Sequence, residues 1–227
     1  AHWECRAVLR HYDELMQLVT SANVCCGGHA GDWSTSARTL ALARDAQVQI
    51  GAHPGFVDRE HFGRRELERS YAEIVQECVW QIGALSALAH EMGVKIAYLK
   101  PHGALYNLAC RHERYALPIV EVAEPYDLPL LGLPNSSLES ASEGRCAFIA
   151  EGFADRRYRN GALVPRSEAD AFVSDPEEAV AQVKGLMRQV QTLCVHGDNP
   201  EAVQFVRALR ASLESEGIRI AAFRNQS

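Results

Sequence analysis

No apolar run in this 227-residue chain approaches the roughly 18 positions that a bilayer-spanning helix needs. No charged, apolar and small-residue leader pattern is found either. The expectation is a cytoplasmic protein with no membrane partner. A basic excess is also lacking: 23 Lys and Arg stand against 29 Asp and Glu, a net charge of -6, which argues against a nucleic-acid partner. The seven cysteines form no CxxC pair, so neither a structural zinc site nor a disulfide framework is expected. Cys25, Cys78, Cys146 and Cys194 lie in apolar stretches and read as small buried hydrophobes in a reducing compartment. Adjacent Cys25 and Cys26 are the one pair to note. There is no GxxxxGK[ST] loop, no GxGxxG after a strand and no GxSxG elbow, which removes the common nucleotide folds and serine hydrolases of the elbow type. No internal repeat, low-complexity tract or linker divides the chain, so a single domain over residues 1–227 is expected.

What is present is alternation. Short, almost wholly apolar runs at Ala22–Cys26, Val48–Ala52, Ile96–Lys100, Leu128–Leu133, Cys146–Ala150, Thr192–His196 and Ile218–Phe223 read as strands buried on both faces of a parallel sheet. Helical patterns fill the gaps. The clearest runs from about Glu68 to Met92, with Ile74, Val75, Cys78, Val79, Ile82, Leu85, Leu88 and Met92 at three- and four-residue steps. Ser70 with Glu73 resembles a capping box, and Gly93 is a stop. Asp175-Pro176 and Asn199-Pro200 open two further helices, the latter ending near Gly217. Strand–helix order with right-handed crossovers predicts an α/β fold, a seven-stranded (β/α) barrel, with an open doubly wound sheet as the alternative. The Glu151–Asp170 stretch reads as a functional loop.

Polar residues gather where these strands end. His29 and Asp32 follow the first, His53 and nearby Asp58 the second, Lys100 and His102 the third, Glu151, Asp155 and Arg156 the fifth, and His196 and Asp198 the sixth. In parallel α/β folds those ends open on one face, where active sites lie. His29, His53, His102 and His196 are therefore expected to face one cavity, as general acids, bases or metal ligands. Asp32 and Asp198 either orient the preceding histidines or cap the following helices. Lys100 is costly at the end of an apolar strand unless it meets an anion. Arg64 and Arg65 bind an anionic group or pair with surface carboxylates. Asp155, Arg156 and Tyr158 either contact substrate or hold their loop by ion pairing. His2, His11, His61, His90 and His112 read as solvated or structural.

The segments TSANVCCGGHAGD, IGAHPGFVDREHFGRRELERS, LKPHGALYN, AEGFADRRY with LVPRS, and CVHGDNP resemble the LamB/YcsF family, the A-type subunits of 5-oxoprolinase, from about Val19 to Gly217. The resemblance implies a barrel of the glycoside hydrolase/deacetylase type and ATP-dependent opening of 5-oxo-L-proline to L-glutamate, a hydrolase reaction at a cyclic amide, together with B and C subunits. ATP enters as co-substrate, held either by this chain or by a partner subunit; a homo-oligomer is left open. It also implies catalytic roles for His29, Asp32, His53, Lys100, His102, His196 and Asp198. Substrate contacts fall to Asn23, Arg64, Arg65, Tyr106, Asn107, Glu151, Asp155 and Arg156. The family's opening strand, carrying DLNxDxGE, would end just upstream of Ala1; either that strand and its carboxylates lie outside this sequence or the protein lacks them. Cys25, Gly28 and Trp33 stand where the family more often has Ala, Phe and Pro, and the Met187–Thr192 connection is shorter than usual.

Two other readings remain. Related barrels are metal-dependent, deacetylase-like hydrolases of carbohydrate amides that bind a divalent ion through one Asp and two His; by position His53 and His102 would be those histidines. The other is a non-catalytic subunit that binds a small acid and regulates its partners.

Overall fold

The computed structural model describes residues 12–159, 162–197 and 201–223. In chain order the strands are β1 (Ser21–Cys25), β2 (Gln49–His53), β3 (Ile96–Leu99), β4 (Leu130–Gly132), β5 (Phe148–Phe153), the short β6 (Tyr158–Arg159) and β7 (Ala162–Leu163), and β8 (Thr192–Cys194). The helices are α1 (Trp33–Asp45), α2 (Tyr71–Glu91), α3 (Gly103–Arg111), α4 (Glu113–Ala123), α5 (Ser137–Ser142), α6 (Pro176–Leu186) and α7 (Ala202–Ser215). Six strands pair in the order β1-β2-β3-β4-β5-β8, every pairing parallel, while β6 and β7 form an antiparallel hairpin. Parallel strands joined through helices in sequential order are the (β/α) barrel class that the alternation predicts.

Among the described residues the chain divides into two compact units, one from Ser21 to Ala150 and the other from residues 12–20 with Glu151–Phe223. β5 belongs to both: Phe148–Ala150 ladders with β4, and Glu151–Phe153 with β8. In the first unit Ile50, Ala52, Tyr98, Leu99 and Leu130 of the sheet are buried, as are Ile74, Cys78, Ile82 and Leu85 of α2. Each large apolar side chain so buried contributes roughly 1.5–3 kcal/mol before entropy is counted. The second unit has its own core of Leu15, Val180, Val183, Phe205, Val206, Leu209 and Leu213.

The helix signals translate directly. Ser70 and Glu73 form a reciprocal capping box at the start of α2, and Gly93 leaves the helix at φ +67°. Asp175 caps α6 with Pro176 in its first turn. Asn199-Pro200 lies outside the described residues.

Four expectations change. The predicted seventh strand, Ile218–Phe223, belongs to no ladder among the described residues. Gly217 turns out of α7 at φ +77°, the Ile218 N–H donates to Leu213 O, and Ile218 and Ile220 pack their side chains on the helical core instead. The fifth strand runs past Ala150 to Phe153, so Glu151 lies within it and not beyond its end. The Glu151–Asp170 stretch is largely loop among its described residues, but it also carries the β6–β7 hairpin, which the sequence reading did not include. Val79, counted in the buried stripe of α2, is exposed beside an exposed Trp80.

Candidate active site

The ends of β1, β2 and β3 bring three imidazoles together in the first unit. The His29 ring lies flat on His102, with centroids 3.7 Å apart and planes 3° from parallel. His53 meets both edge-on, at 5.7 and 4.9 Å. This approach needs glycine. Gly63, at φ +64°, sits where a Cβ would come within 2.7 Å of His29 Cβ and 3.1 Å of His102 Cδ2. A second brace comes from α2. Gln81, fully buried, accepts from Gly55 N and donates to Gly55 O, and a Cβ on Gly28 would strike its amide at 2.4 Å. Backbone bonds tie the loops together: Lys100 N donates to Ala52 O, His102 N to Pro54 O, and Ala104 N to Gly63 O.

Hydrogen bonding sets the protonation pattern. His53 Nδ1 is 2.6 Å from Lys100 O, and His102 Nε2 is 2.9 Å from Phe62 O. Carbonyls only accept, so both nitrogens carry protons. The remaining nitrogens, His53 Nε2 and His102 Nδ1, face one another at 3.0 Å. A third proton between them would complete the chain of bonds and put one positive charge on the pair. Burial opposes that charge, joined by repulsion from His102, His29 and Lys100, and holds His53 well below the usual histidine range. Desolvation is the larger effect, so His53 rests neutral, and its Nε2 can share a proton with His102 Nδ1. His29 is also neutral: burial, then the charges of His102, Arg59 and Arg64, push it down to about 2. Its Nε2 lies 3.2 Å from Cys25 Sγ, and its buried Nδ1 has no hydrogen-bond partner among the described residues.

Charged groups surround this cluster. Lys100 is buried, with Nζ 5.6 Å from the centre of the buried Tyr106 ring. Buried Asp58 accepts from His61 Nδ1 at 2.9 Å and Arg65 at 3.4 Å through Oδ1, while its buried Oδ2 has no hydrogen-bond partner among the described residues. Arg64 stacks over Phe62. On β1, the Asn23 side-chain oxygen is buried without a hydrogen-bond partner among the described residues. Orphaned acceptors of this kind suit a ligand N–H or hydroxyl. Asn107 is exposed on α3.

In the second unit His196 pairs with Asp155. The carboxylate accepts from the His196 backbone N–H at 2.8 Å and from ring Nδ1 at 2.9 Å. The ring stacks on Phe153 at 5.7 Å. Burial would raise the Asp155 carboxyl, but the His196 ring and backbone bonds outweigh it and hold it below the ordinary carboxylate range. This arrangement leaves His196 Nε2 as the outward proton acceptor. Glu151 is buried on β5.

Asp32 takes the helix-cap role, one of the two open to it by position. It caps α1, accepting from Thr35 N and Ser34 Oγ, because a helix start needs an acceptor there. Arg156 sends Nε to Ala171 O and Nη2 to Val164 O, which staples its loop through backbone carbonyls. Asp198 lies outside the described residues; Asp155 holds His196. Cys25, His61 and Gln81 escaped the sequence reading as site residues, and Asp58, noted near the second strand end, was given no role. The signal for Asp58 and His61 was their i, i+3 spacing beside a Gly-rich turn; Gln81 had none.

The facing nitrogens of His53 and His102, the two histidines expected as metal ligands, lie 3.0 Å apart, and among the described residues no group of three His, Cys, Asp or Glu side chains that could hold a metal is found.

The comparisons agree with one another. The LamB/YcsF family model matches residues 5–227. A protein from Neisseria meningitidis serogroup C, named as the A-type subunit of 5-oxoprolinase, is 41% identical over 92% of this chain and 93% of its own length. One of the same name from Streptomyces avermitilis is 42% identical over 93% and 92%. The crystal structure of a lactam utilization protein from Thermus thermophilus superposes with a TM-score of 0.86 at 36% identity, covering 94% of this chain and 92% of that one. With the family model matched over nearly the whole chain, and with the motifs that build the imidazole cluster inside the match, this chain belongs to the LamB/YcsF family.

Proposed function

We propose that this chain is the A-type subunit of a 5-oxoprolinase, acting with B and C subunits to open 5-oxo-L-proline to L-glutamate with hydrolysis of ATP. The observation that carries the reading is the three-imidazole cluster at adjoining strand ends, with buried Lys100 beside it, in a chain 41–42% identical to proteins of that name. An unstrained lactam resists water because amide resonance must be broken. Phosphorylation of the amide oxygen by ATP breaks the resonance; water then adds, the tetrahedral centre expels the ring nitrogen as the protonated amine to leave an acyl phosphate, and a second water releases phosphate as the carboxylate forms. His53 and His102 can take up a proton between their facing nitrogens. In the second unit His196, held through Nδ1 by Asp155, is a further acid–base group. Lys100, Arg64 and Arg65 offer positive charge to carboxylate or phosphoryl oxygens. Asn23 and Asp58 offer acceptors for a ligand N–H.

A metal-assisted hydrolase is the second reading, and it would need ligands beyond His53 and His102. The test is L-glutamate formation from 5-oxoproline by the chain alone and by the chain with its B and C subunits. Each is assayed with ATP omitted, with a chelator and with added divalent metals. ATP-dependent turnover in the reconstituted mixture supports the proposal. Turnover of an N-acetylated sugar by the chain alone, abolished by chelator, would replace it with the second reading.

A further inference from the structure

Outside the imidazole cluster, the first unit has a cavity of about 360 Å³ between α1 and α2, over the Gly27–Gly31 loop. Trp80, Ala84 and Leu88, one turn apart on α2, form one wall, and Trp33 at the head of α1 stands on the other. Trp33 is 80% exposed and Trp80 56%. Two indoles left in water across one cavity, on a helix whose opposite face already fills the core, are surplus to the needs of the fold. Arg59 sits at the rim, its Nη1 donating to Gly27 O at 2.8 Å and Gly31 O at 2.9 Å. That grip fixes the guanidinium in place, and Nε and Nη2 have no hydrogen-bond partner among the described residues. Tryptophan and arginine around a concave apolar centre is the composition of a protein–protein hot spot.

We infer that this groove seats a partner subunit, through an apolar side chain inserted between Trp33 and Trp80 and a carboxylate that meets Arg59. The inference rests on the proposed role as one member of a hetero-complex. The loop forming the groove floor carries His29, whose ring stacks on His102. A seated partner therefore presses on the backbone that positions the imidazole cluster. Docking braces the site as well as joining the chains.

The test measures association of the intact chain with its B and C subunits by calorimetry, alongside turnover. Trp80→Ala and Trp33→Ala should each weaken association by roughly tenfold or more, the scale of a hot-spot truncation. Trp80→Phe should recover most of it. Tyr126→Ala, at an exposed aromatic outside the groove, should bind as wild type. Saturating partner should restore turnover in the tryptophan variants, a rise in half-saturating partner concentration without loss of maximal rate. Wild-type association in both tryptophan variants would overturn the groove inference while leaving the subunit reading intact. A self-associating chain whose dimer is broken by Trp80→Ala would also overturn it, as would quenching of the groove tryptophans by ATP alone. Failure of the unmodified chain to bind either the B or the C subunit would instead sink the subunit reading itself.

Discussion

Asp155 grips His196 twice, at the backbone N–H and at ring Nδ1, so the tautomer with Nε2 unprotonated is selected before any ligand arrives. The two residues are 41 positions apart in sequence, and the carboxylate comes from the loop after β5 while the ring follows β8.

Asp155→Asn should leave the fold in place and lower turnover about 100-fold or more, because an amide can present its NH₂ to Nδ1 and favour the opposite tautomer. The folded pKa of Asp155 lies below the unfolded value, so the wild-type pair adds stability at pH above about 4 that disappears as pH falls through the folded pKa. The variant should lack that acid-side loss. Denaturant midpoints and steady-state rates across pH would check both parts; unchanged turnover would remove Asp155 as a positioning residue.

His29 and His53 act in the same sense, over a higher pH range. Their folded pKa values are depressed, His29 to about 2, against 6.5 when unfolded. Below pH 6.5 the unfolded chain binds protons that the folded chain refuses, so stability declines as pH drops. Each histidine contributes about 1.4 kcal/mol per pH unit over that range. Replacing His29 by Asn should flatten the acid limb of a stability–pH curve by close to one proton. An unchanged slope would show that the ring charges readily in the folded protein.

Lys100→Ala and His102→Ala should each lower oxoproline-dependent turnover by about 100- to 10,000-fold while circular dichroism stays native. Lys100 is buried beside Tyr106, and His102 bridges Phe62 O and His53. If these groups only support the fold, thermal stability would fall and turnover per folded molecule would persist.

Thiol titration in denaturant without reductant should find nearly all seven cysteines reactive. In the native protein Cys25, Cys146 and Cys194, which are partly accessible, should react first, and Cys26, Cys78 and Cys110, which are buried, last. Burial pushes the Cys26 thiol up to about 12 and raises Cys78 as well, so neither supplies thiolate near neutral pH. A shortfall in the denatured count would reveal a disulfide.

The strands were legible because a strand covered on both faces leaves a local trace, a short unbroken apolar run, and the glycine-flanked histidines follow those runs directly. Ile218–Phe223 carries the same trace and forms no strand among the described residues. Apolar side chains record that a segment is covered, not whether its backbone finds a ladder. The partnerships within the site were less visible. Asp155 with His196, Gln81 with Gly55 and Cys25 with His29 depend on where distant segments meet, and Gln81 lies amid an ordinary helical pattern. Asp32 was legible only as two alternatives, and the carboxylate three residues from a histidine serves the helix that follows it.

The close approach of position 28 to the Gln81 amide has a genealogical consequence. The two positions cannot drift independently, since any side chain at 28 occupies the space that Gln81 uses to hold Gly55. A lineage with a bulky residue at 28 must shorten or redirect residue 81 and find another clasp for the turn after β2. The pair should therefore change in concert across descendants, a correlated exchange between two columns 53 positions apart that neither column explains alone.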